Sequence, residues 1–296
     1  MNAPSWQLRV LTCVMRYVVK PKLKRTGTPT QAFRSFEMCA PFLFSKPRGT
    51  QIYDGPLMRR ISVGTPEAGR AILYVHGGAF VAGSRKSYCA FAARLAKRTS
   101  SVVFLPDYPL LQKQPFPAAP DAIISAWDDL IESGFAPHQI VLAGDSAGGN
   151  LAFGLLATLL ARGQRPAGAV GFSPWADLTL SGATIDANSQ ADPLIPVSRM
   201  REVVELYMNG ADPADPRASP KFAQFPDPPP VLIQVGETEV LRSDSEVLAQ
   251  KTKGTIEVWP HVPHVWQIFD GRLPEANAAM RKVAAFVQTS FESAKR

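Results

Sequence analysis

The stretch Gly144-Asp145-Ser146-Ala147-Gly148-Gly149 lies between two segments of different character. Residues 139–143 before it are apolar and partly β-branched, as in a buried strand. Residues 150–161 after it are rich in alanine and leucine, as in a helix. A serine in a Gly-x-Ser-x-Gly turn between strand and helix has a strained backbone, and its hydroxyl stands clear of the sheet. The pattern predicts a nucleophile at Ser146, although some glycine corners of this kind are purely structural.

The two glycines around this serine are expected where neighbouring backbones pass close together. The helix N-terminus beside it favours negative charge, which suits an oxyanion that forms next to the serine. No Gly-Lys-Ser/Thr follows the stretch, and the Gly-x-Gly-x-x-Gly spacing is absent. A phosphate loop or a dinucleotide site is therefore not indicated.

Composition indicates a soluble globular protein, because 46% of the 296 residues are hydrophobic and 19% are charged. The net charge of +7 is concentrated partly in Lys20, Lys22, Lys24 and Arg25. No aromatic residues interleave with these basic residues, so we expect a solvated basic surface and no nucleic-acid partner.

Cys13, Cys39 and Cys89 form no spaced pair, and an odd number of cysteines favours a reducing compartment. Charged residues interrupt the apolar residues of 1–24, which is unlike a secretory signal. No apolar run approaches the length that crosses a bilayer. These patterns predict a soluble, cytoplasmic protein without stable membrane insertion.

Short apolar runs alternate with helical patterns from about residue 52 onward. Such alternation predicts an α/β protein with a mostly parallel sheet and helices on both faces. Strands are predicted at 57–63 (antiparallel), 71–75, 101–105, 140–143, 169–173, 230–235 and 255–259, and helices at 88–98, 121–133, 150–161 and 275–291.

Two segments depart from this alternation. Residues 176–225 form a Pro/Asp-rich insertion with a helix-like stretch at 197–208, and residues 1–45 show one or two helices without a strand. An insertion of this size usually forms a lid or a pocket wall. We predict a helical cap from 1–50 and 176–225, and an α/β core from 51–175 and 226–296.

The first helix has apolar residues near helical spacing, which predicts a face packed against the body. A membrane-surface helix is the less favoured alternative, given the flanking lysines. The apolar residues concerned are Trp6, Leu8, Leu11, Val14, Met15, Val18 and Val19.

Further chemical groups follow the predicted strands, at the edge where open α/β sheets place their sites. The glycines of His76-Gly77-Gly78 can turn N–H groups toward an oxygen that becomes negative during acyl transfer. Gly77, Gly78 and Ala147 are therefore predicted oxyanion donors. His76 is expected to anchor the loop by hydrogen bonding and not to catalyse.

A serine nucleophile needs a histidine base whose tautomer a buried carboxylate holds. Glu239 and Asp244 follow the strand at 230–235, and His261 and His264 follow the strand at 255–259. The order serine, acid, histidine is that of the α/β-hydrolases. The pattern itself leaves open which acid and which histidine take part.

Taken together, these motifs resemble the hormone-sensitive-lipase-like carboxylesterases over most of the chain. Residues 76–80 are similar to the HGGG signature of that family, with Ala79 in place of the third glycine, and 144–149 match its GDSAGG signature. Other landmarks of the family are Asp107-Tyr108, Phe116-Pro117-Ala118-Ala119, 173–178, Asp192-Pro193, Ser219-Pro220 and 229–236. The stretch 110–114 departs from the family pattern.

This resemblance implies an α/β-hydrolase fold with a helical cap. It implies Ser146 as the nucleophile and His264 as the base, because a hydrophobic residue and an aromatic residue follow His264. Glu239 occupies the place of the acid where the family usually has aspartate, and Asp244 stays the alternative.

The function implied is a serine carboxylic-ester hydrolase that acts on short- to medium-chain acyl esters through an acyl-enzyme. Alternatives are a lactone hydrolase of monoterpene-lactone type and an acetyl-ester hydrolase of a secondary metabolite, because only the pocket differs. A non-catalytic ligand-binding protein on the same fold is a distant alternative, which the presence of His264 disfavours.

No metal or organic cofactor is expected, since the four histidines and three cysteines show no ligand spacing. The expected partner is a small-molecule ester. Members of the family often form homodimers, which the resemblance implies here as well.

Overall fold

The computed structural model describes residues 3–43 and 45–294, and for 39–43 it describes the backbone alone. At its centre is an eight-stranded sheet with the spatial order β1-β2-β4-β3-β5-β6-β7-β8. β1 and β2 pair antiparallel, β2 pairs antiparallel with β4, and the other neighbours are parallel. The strands are β1 (Thr50–Asp54), β2 (Met58–Val63), β3 (Ala71–Val75), β4 (Val102–Pro106), β5 (Ile140–Asp145), β6 (Gly168–Phe172), β7 (Val231–Gly236) and β8 (Thr255–Trp259).

Helices precede the sheet, connect its strands and end the described chain. The first two α-helices are joined by a π-helical segment at Met15–Val19. The α-helices are α1 (Trp6–Val14), α2 (Lys20–Arg25), α3 (Pro29–Leu43), α4 (Cys89–Thr99), α5 (Ala118–Glu132), α6 (Ser146–Ala161), α7 (Ala183–Ala187), α8 (Val197–Met208), α9 (Arg242–Thr252) and α10 (Pro274–Ser293).

Alternate residues of the central strands point to opposite faces of the sheet, and both faces are covered. Leu73 and Leu142 pack into a cluster with α5, α6 and α9. Their neighbours Ile72 and Val141 pack with α4 and α10 on the other face. Burial on both faces explains why these strands are continuous apolar runs. The predicted mostly parallel sheet with helices on both sides is confirmed.

Residues 6–43 contain three α-helices where one or two were predicted, and β1, α7 and α9 were not predicted. β1 is an edge strand whose side chains are largely exposed, so no hydrophobic alternation marks it. Its hydrogen bonds come from the antiparallel partner β2. α9 has few apolar residues, so no apolar periodicity marks it as a helix. α7 is a short helix of five residues inside the insertion.

The first helical segment packs with only part of its apolar surface, contrary to the expectation of one packed face. Leu8 is 1% exposed and contacts a small core cluster with Val262 and Trp266. Trp6 and Val18, by contrast, are 71% and 60% exposed. The segment therefore has a buried apolar side and an exposed one.

Within the described chain, no helix is both long and apolar enough to cross a membrane. Cys13 is exposed and Cys89 is buried, and both are free thiols. The side chain of Cys39 lies outside the described part of the structure.

Candidate active site

Ser146 occupies the corner between β5 and α6, where the chain reverses from strand to helix. Its φ of 51° lies in the left-handed region, so the predicted strained backbone is confirmed. A side chain at Gly144 would collide with the Gly148 carbonyl, and one at Gly148 would collide with the Val75 carbonyl. Only glycine fits these two positions, because the helix start passes against β3 and β5.

Glu239 and His264 form a buried pair on the loops that follow β7 and β8. His264 Nδ1 lies 2.6 Å from Glu239 Oε2, so the ring donates its Nδ1 proton to the carboxylate. The other oxygen, Oε1, accepts from the Ser173 hydroxyl at 2.8 Å and from the Gly236 N–H. Glu239 has no exposed surface. Its hydrogen bonds fix both the carboxylate and the tautomer of the histidine.

The environment of His264 favours its protonated form. Burial by itself would lower its pKa, but the charge and hydrogen bond of Glu239 act in the opposite direction, with smaller contributions from Asp192 and Asp145. The net result is a pKa raised above the ordinary value of 6.5. A histidine that is stabilised as imidazolium suits a base that must accept a proton during the reaction.

Asp244 does not approach the histidine pair in this way. Its Oδ2 accepts the backbone N–H groups of Ala176 and Asp177 at 2.8 and 2.9 Å. Burial, followed by the nearby charge of Asp177, raises the pKa of Asp244 to about 8. Asp244 therefore anchors the start of the 176–225 insertion, and the carboxylate that contacts His264 is Glu239.

The loop after β3 corrects one predicted oxyanion donor. The N–H of Gly77 donates to Asp145 Oδ1 at 2.8 Å, so it is already paired and is not free to bind an oxyanion. Within the described residues, the N–H groups of Gly78 and Ala79 have no recorded acceptor. Both residues have positive φ values, 117° and 53°, so their N–H groups point in other directions than they would in an extended strand.

Asp145 holds this loop in place. Its two carboxylate oxygens also accept the hydroxyls of Tyr74 at 2.7 Å and Tyr88 at 2.9 Å. Burial raises the pKa of Asp145, and these three hydrogen bonds oppose that shift. Asp145, the residue before Ser146, thus connects the end of β5 to the loop after β3 through hydrogen bonds.

His76 is buried and has the anchoring role that was expected of it. Its Nδ1 donates to the Gly77 carbonyl at 2.9 Å, and its ring stacks on Tyr108 with centroids 4.5 Å apart. Burial lowers the pKa of His76 to about 4, so it is neutral at physiological pH. A neutral, hydrogen-bonded histidine is not free to act as the base.

The parallel strands bring the sequence-predicted residues to one edge of the sheet. Ser146 and His264 are 9% and 8% exposed, respectively. The charge of His264 affects the pKa of Asp145, the residue before the serine, so the two sides of the site are close. Within the described chain, no direct hydrogen bond joins Ser146 to His264. His261 lies outside this set and lines a surface cavity of about 410 Å³ beside α1.

Three supporting residues were not predicted. Ser173 contacts the acid, Asn188 Nδ2 donates to the Glu239 carbonyl at 2.9 Å, and Asp192 Oδ2 accepts the Val240 N–H at 3.1 Å. Ser173 and Asp192 belong to the family landmarks, but only the folded chain shows what they touch. Within the part of the chain that the structure describes, no cluster of three metal-ligating side chains is present.

Comparison with known proteins shows the family to which the chain belongs. A family model described as an alpha/beta hydrolase fold matches residues 72–268. An acetyl-hydrolase of Streptomyces hygroscopicus is 38% identical over 228 residues, which is 75% of this chain and 76% of the relative. An esterase of Acinetobacter venetianus is 34% identical over 226 residues, or 74% of this chain and 75% of the relative.

Solved structures agree over nearly the whole chain. An esterase from the bacterial hormone-sensitive lipase family has a TM-score of 0.90 and 29% identity, covering 98% of this chain and 100% of its own. The esterase EstE5 also has a TM-score of 0.90, with 31% identity, covering 97% of this chain and 99% of its own. The chain therefore belongs to the alpha/beta hydrolase family, in its hormone-sensitive-lipase-like esterase branch.

Proposed function

We propose that the protein is a serine carboxylic-ester hydrolase that acts on short- to medium-chain acyl esters. The observation that carries this proposal is the 2.6 Å hydrogen bond between His264 and the buried Glu239, at the sheet edge that also holds the Ser146 elbow. The acetyl-hydrolase and esterase names of the relatives support the same reaction class.

In the proposed reaction, Ser146 Oγ attacks the ester carbonyl while His264 Nε2 takes its proton. Glu239 stabilises the imidazolium through Nδ1 and does not itself become protonated. His264 then protonates the leaving alcohol, which leaves an acyl-enzyme. Water activated by the same histidine releases the acid and restores the serine.

The oxyanion of each tetrahedral intermediate is proposed to bind the N–H groups of Gly78, Ala79 and Ala147. Gly77 is excluded from this set because Asp145 accepts its N–H. Ala147 is the second residue of α6, so its N–H has no partner inside the helix. Loss of one such donor typically costs about 3–4 kcal/mol in the barrier.

A second candidate is specificity for acetyl esters, which the name of the Streptomyces relative favours. Phe80 follows the oxyanion loop directly, and its ring stacks on Tyr207 of α8 with centroids 4.0 Å apart. Trp175 lies 6.1 Å from the same Phe80 ring. We expect these buried rings to limit the length of the acyl chain.

The division into a cap (1–50 and 176–225) and a catalytic core (51–175 and 226–296) is also a proposal. It is supported by α8, which reaches the oxyanion loop through Tyr207. A cytoplasmic location is supported by the free thiols of Cys13 and Cys89. The homodimer stays a prediction, for which the β8 edge of the sheet is the expected interface.

A fluorophosphonate that reacts with activated serines tests the proposed function. The wild type should be labelled once, at Ser146, and lose its esterase activity as the label accumulates. Ser146→Ala should be neither labelled nor active, whereas the exposed Ser125→Ala should behave as the wild type. Labelling at another residue, or full activity of Ser146→Ala, would refute the proposal.

A panel of p-nitrophenyl esters from acetate to octanoate, together with several lactones, tests the substrate class. We expect the highest kcat/KM at acetate to hexanoate. A maximum at acetate would select the acetyl-ester candidate, and a clear preference for lactones would replace the proposed class.

A further inference from the structure

One side of the first helical segment, residues 6–25, exposes a row of large apolar side chains. We call this row the exposed stripe. Its members Trp6, Val10, Val14, Tyr17 and Val18 are between 44% and 73% exposed. Trp6, Val10 and Val14 recur every four residues along α1, close to its period of 3.6, and Tyr17 and Val18 follow within about one turn on the π-helical segment. Among the described residues, no other stretch of this length exposes as many large hydrophobic residues.

The opposite side of the same segment already packs against the body of the protein. Leu8 and Met15 are 1% and 7% exposed. Arg16 donates to the carbonyls of Gln190 and Ala191, and Lys20 donates to those of Ser189 and Asp192. The exposed stripe is therefore not needed to attach the segment, and its apolar side chains require another explanation.

The charged residues of the chain segment that carries the stripe are all positive. The first 36 residues contain seven Lys and Arg and no Asp or Glu. The rest of the chain holds 25 residues of each sign, so the whole net charge of +7 belongs to these 36 residues.

Most of these cations are available to bind a partner. Within the described residues, five of the seven form no ion pair and no side-chain hydrogen bond. They are Arg9, Lys22, Lys24, Arg25 and Arg34, and all are exposed.

We propose that the exposed stripe and its cations dock the protein on the surface of an anionic phospholipid bilayer. Tryptophan and tyrosine prefer the membrane interface, where an apolar ring meets polar headgroups. A helix of this kind lies in the plane of the interface, with its apolar side in the acyl boundary and its cations on the lipid phosphates. Trp6 and Tyr17 supply the rings, and the free lysines and arginines supply the charge.

A second copy of the chain fits this surface poorly. A two-fold interface would place the same patch of both copies together. The exposed Arg9, Lys22, Lys24 and Arg25 of one copy would then approach those of the other, without an acidic residue in the segment to compensate.

Docking would bring the bilayer next to the catalytic loops. Leu8, on the buried side of the segment, packs with Val262 and Trp266, which flank His264. A surface-bound enzyme would thus meet esters that partition into the membrane. The docking itself needs no catalysis, so its test is independent of the proposed hydrolysis.

Flotation of the full chain with vesicles tests the proposal. Wild type should bind vesicles of phosphatidylcholine with phosphatidylglycerol, bind those of phosphatidylcholine alone much more weakly, and be released by high salt. Lys22→Gln/Lys24→Gln/Arg25→Gln should weaken anionic binding by about 100-fold, because each cation near the surface contributes about fivefold. Three exposed cations elsewhere serve as the matched control, Lys86→Gln/Lys113→Gln/Arg281→Gln, and should leave binding close to that of the wild type.

The apolar part of the surface has a control of the same residue type. Tyr17 and Tyr53 are 73% and 70% exposed, but Tyr53 lies on the edge strand β1. Trp6→Ser/Tyr17→Ser should reduce vesicle binding by about tenfold or more, while Tyr53→Ser should not. Far-UV circular dichroism and the thermal unfolding midpoint of both variants should match those of the wild type, which shows that they are folded.

Three results would overturn the proposal. One is failure of the wild type to bind anionic vesicles. Another is equal loss of binding in the stripe variants and their controls. The third is a concentration-dependent dimer in analytical ultracentrifugation that Trp6→Ser/Tyr17→Ser dissociates, which would make the stripe an interface between copies of the chain.

Discussion

Glu239 and Asp244 are only five positions apart in the sequence, yet their carboxylates have different surroundings. Glu239 contacts the histidine ring, a serine hydroxyl and one backbone N–H. Asp244 accepts two backbone N–H groups of the insertion. The negative charge of Glu239 therefore stabilises a protonated His264. At Asp244 a neutral group that accepts the two N–H groups would serve equally well.

Replacement of each acid by its amide should separate these roles. Glu239→Gln should lower kcat by about 10³–10⁴-fold, because the amide no longer stabilises the imidazolium or the required tautomer. Asp244→Asn should keep most activity, since a carboxyl with a pKa of about 8 is already protonated at neutral pH. Steady-state kinetics with p-nitrophenyl butyrate measures both. Loss of activity in Asp244→Asn and not in Glu239→Gln would reverse the assignment.

The raised pKa of His264 predicts the acidic side of the pH–rate profile. Only the neutral imidazole accepts the serine proton, so kcat/KM should increase with pH through a value above 6.5. In Glu239→Gln the residual activity should increase with pH at a lower pH than in the wild type. The reason is that burial lowers the pKa of His264, and the carboxylate charge that opposes this effect is gone. A limb at the same pH in both proteins would contradict the role of Glu239.

At the scale of elements, the loop 188–192 connects the first helices to the acid. On one side Lys20 Nζ donates to the Asp192 carbonyl at 2.6 Å. On the other side the Asp192 carboxylate accepts the Val240 N–H, directly after Glu239. The same carboxylate accepts from Leu194 and Ile195, which shapes its own loop.

Asp192→Ala should therefore affect catalysis through the position of the acid. We expect kcat to decrease by about tenfold, as for residues that orient a reacting group. The acidic limb should also move to lower pH, because the Asp192 charge helps to raise the pKa of His264. Asp186→Ala removes an exposed carboxylate from α7 and serves as the control. An unchanged pH profile in Asp192→Ala would reduce its role to folding alone.

At the scale of the whole molecule, a buried ion pair joins α4 to the chain just before α10. Arg98 forms two hydrogen bonds with Asp270, whose side chain is 2% exposed. By comparison, the pair of Arg162 and Asp128 is 44% and 47% exposed. The two pairs differ in their access to water, which controls what each contributes to stability.

Asp270→Ala should lower the free energy of unfolding by about 3 kcal/mol or more, because the largely buried Arg94 (11% exposed) and the partly exposed Arg98 both lose the charge of Asp270. Asp128→Ala should change it by less than about 1 kcal/mol, since water already screens that pair. Urea unfolding followed by circular dichroism measures both. Equal effects in the two variants would show that burial of Asp270 does not matter.

Much of the site could be predicted from local patterns. The Gly-x-Ser-x-Gly turn places Ser146 between a strand and a helix, and its strain follows from local geometry. The order of Glu239 and His264 after β7 and β8 follows from parallel strands, whose carboxyl ends meet at one edge. β1 could not be predicted, because its side chains are largely exposed and show no hydrophobic alternation. Backbone hydrogen bonds with β2 hold it in the sheet.

The oxyanion donors show where local patterns stop being sufficient. Gly77, Gly78 and Ala79 are adjacent in sequence, and each has a backbone N–H. Asp145, from another strand, accepts the N–H of Gly77 and so removes it from the set. Residues 76–80 by themselves do not show which of these N–H groups is already paired, because the acceptor lies outside this stretch.

By itself, the sequence determined the sheet with its covering helices, the serine turn, and the reaction class that its motifs imply. These depend on apolar periodicity and on backbone geometry within a few residues. Only the tertiary structure decided that Glu239 contacts His264, that Asp244 anchors the insertion, and that one apolar side of the first helices stays exposed. Those properties depend on contacts between distant segments, because burial and hydrogen-bond partners are set by the whole fold.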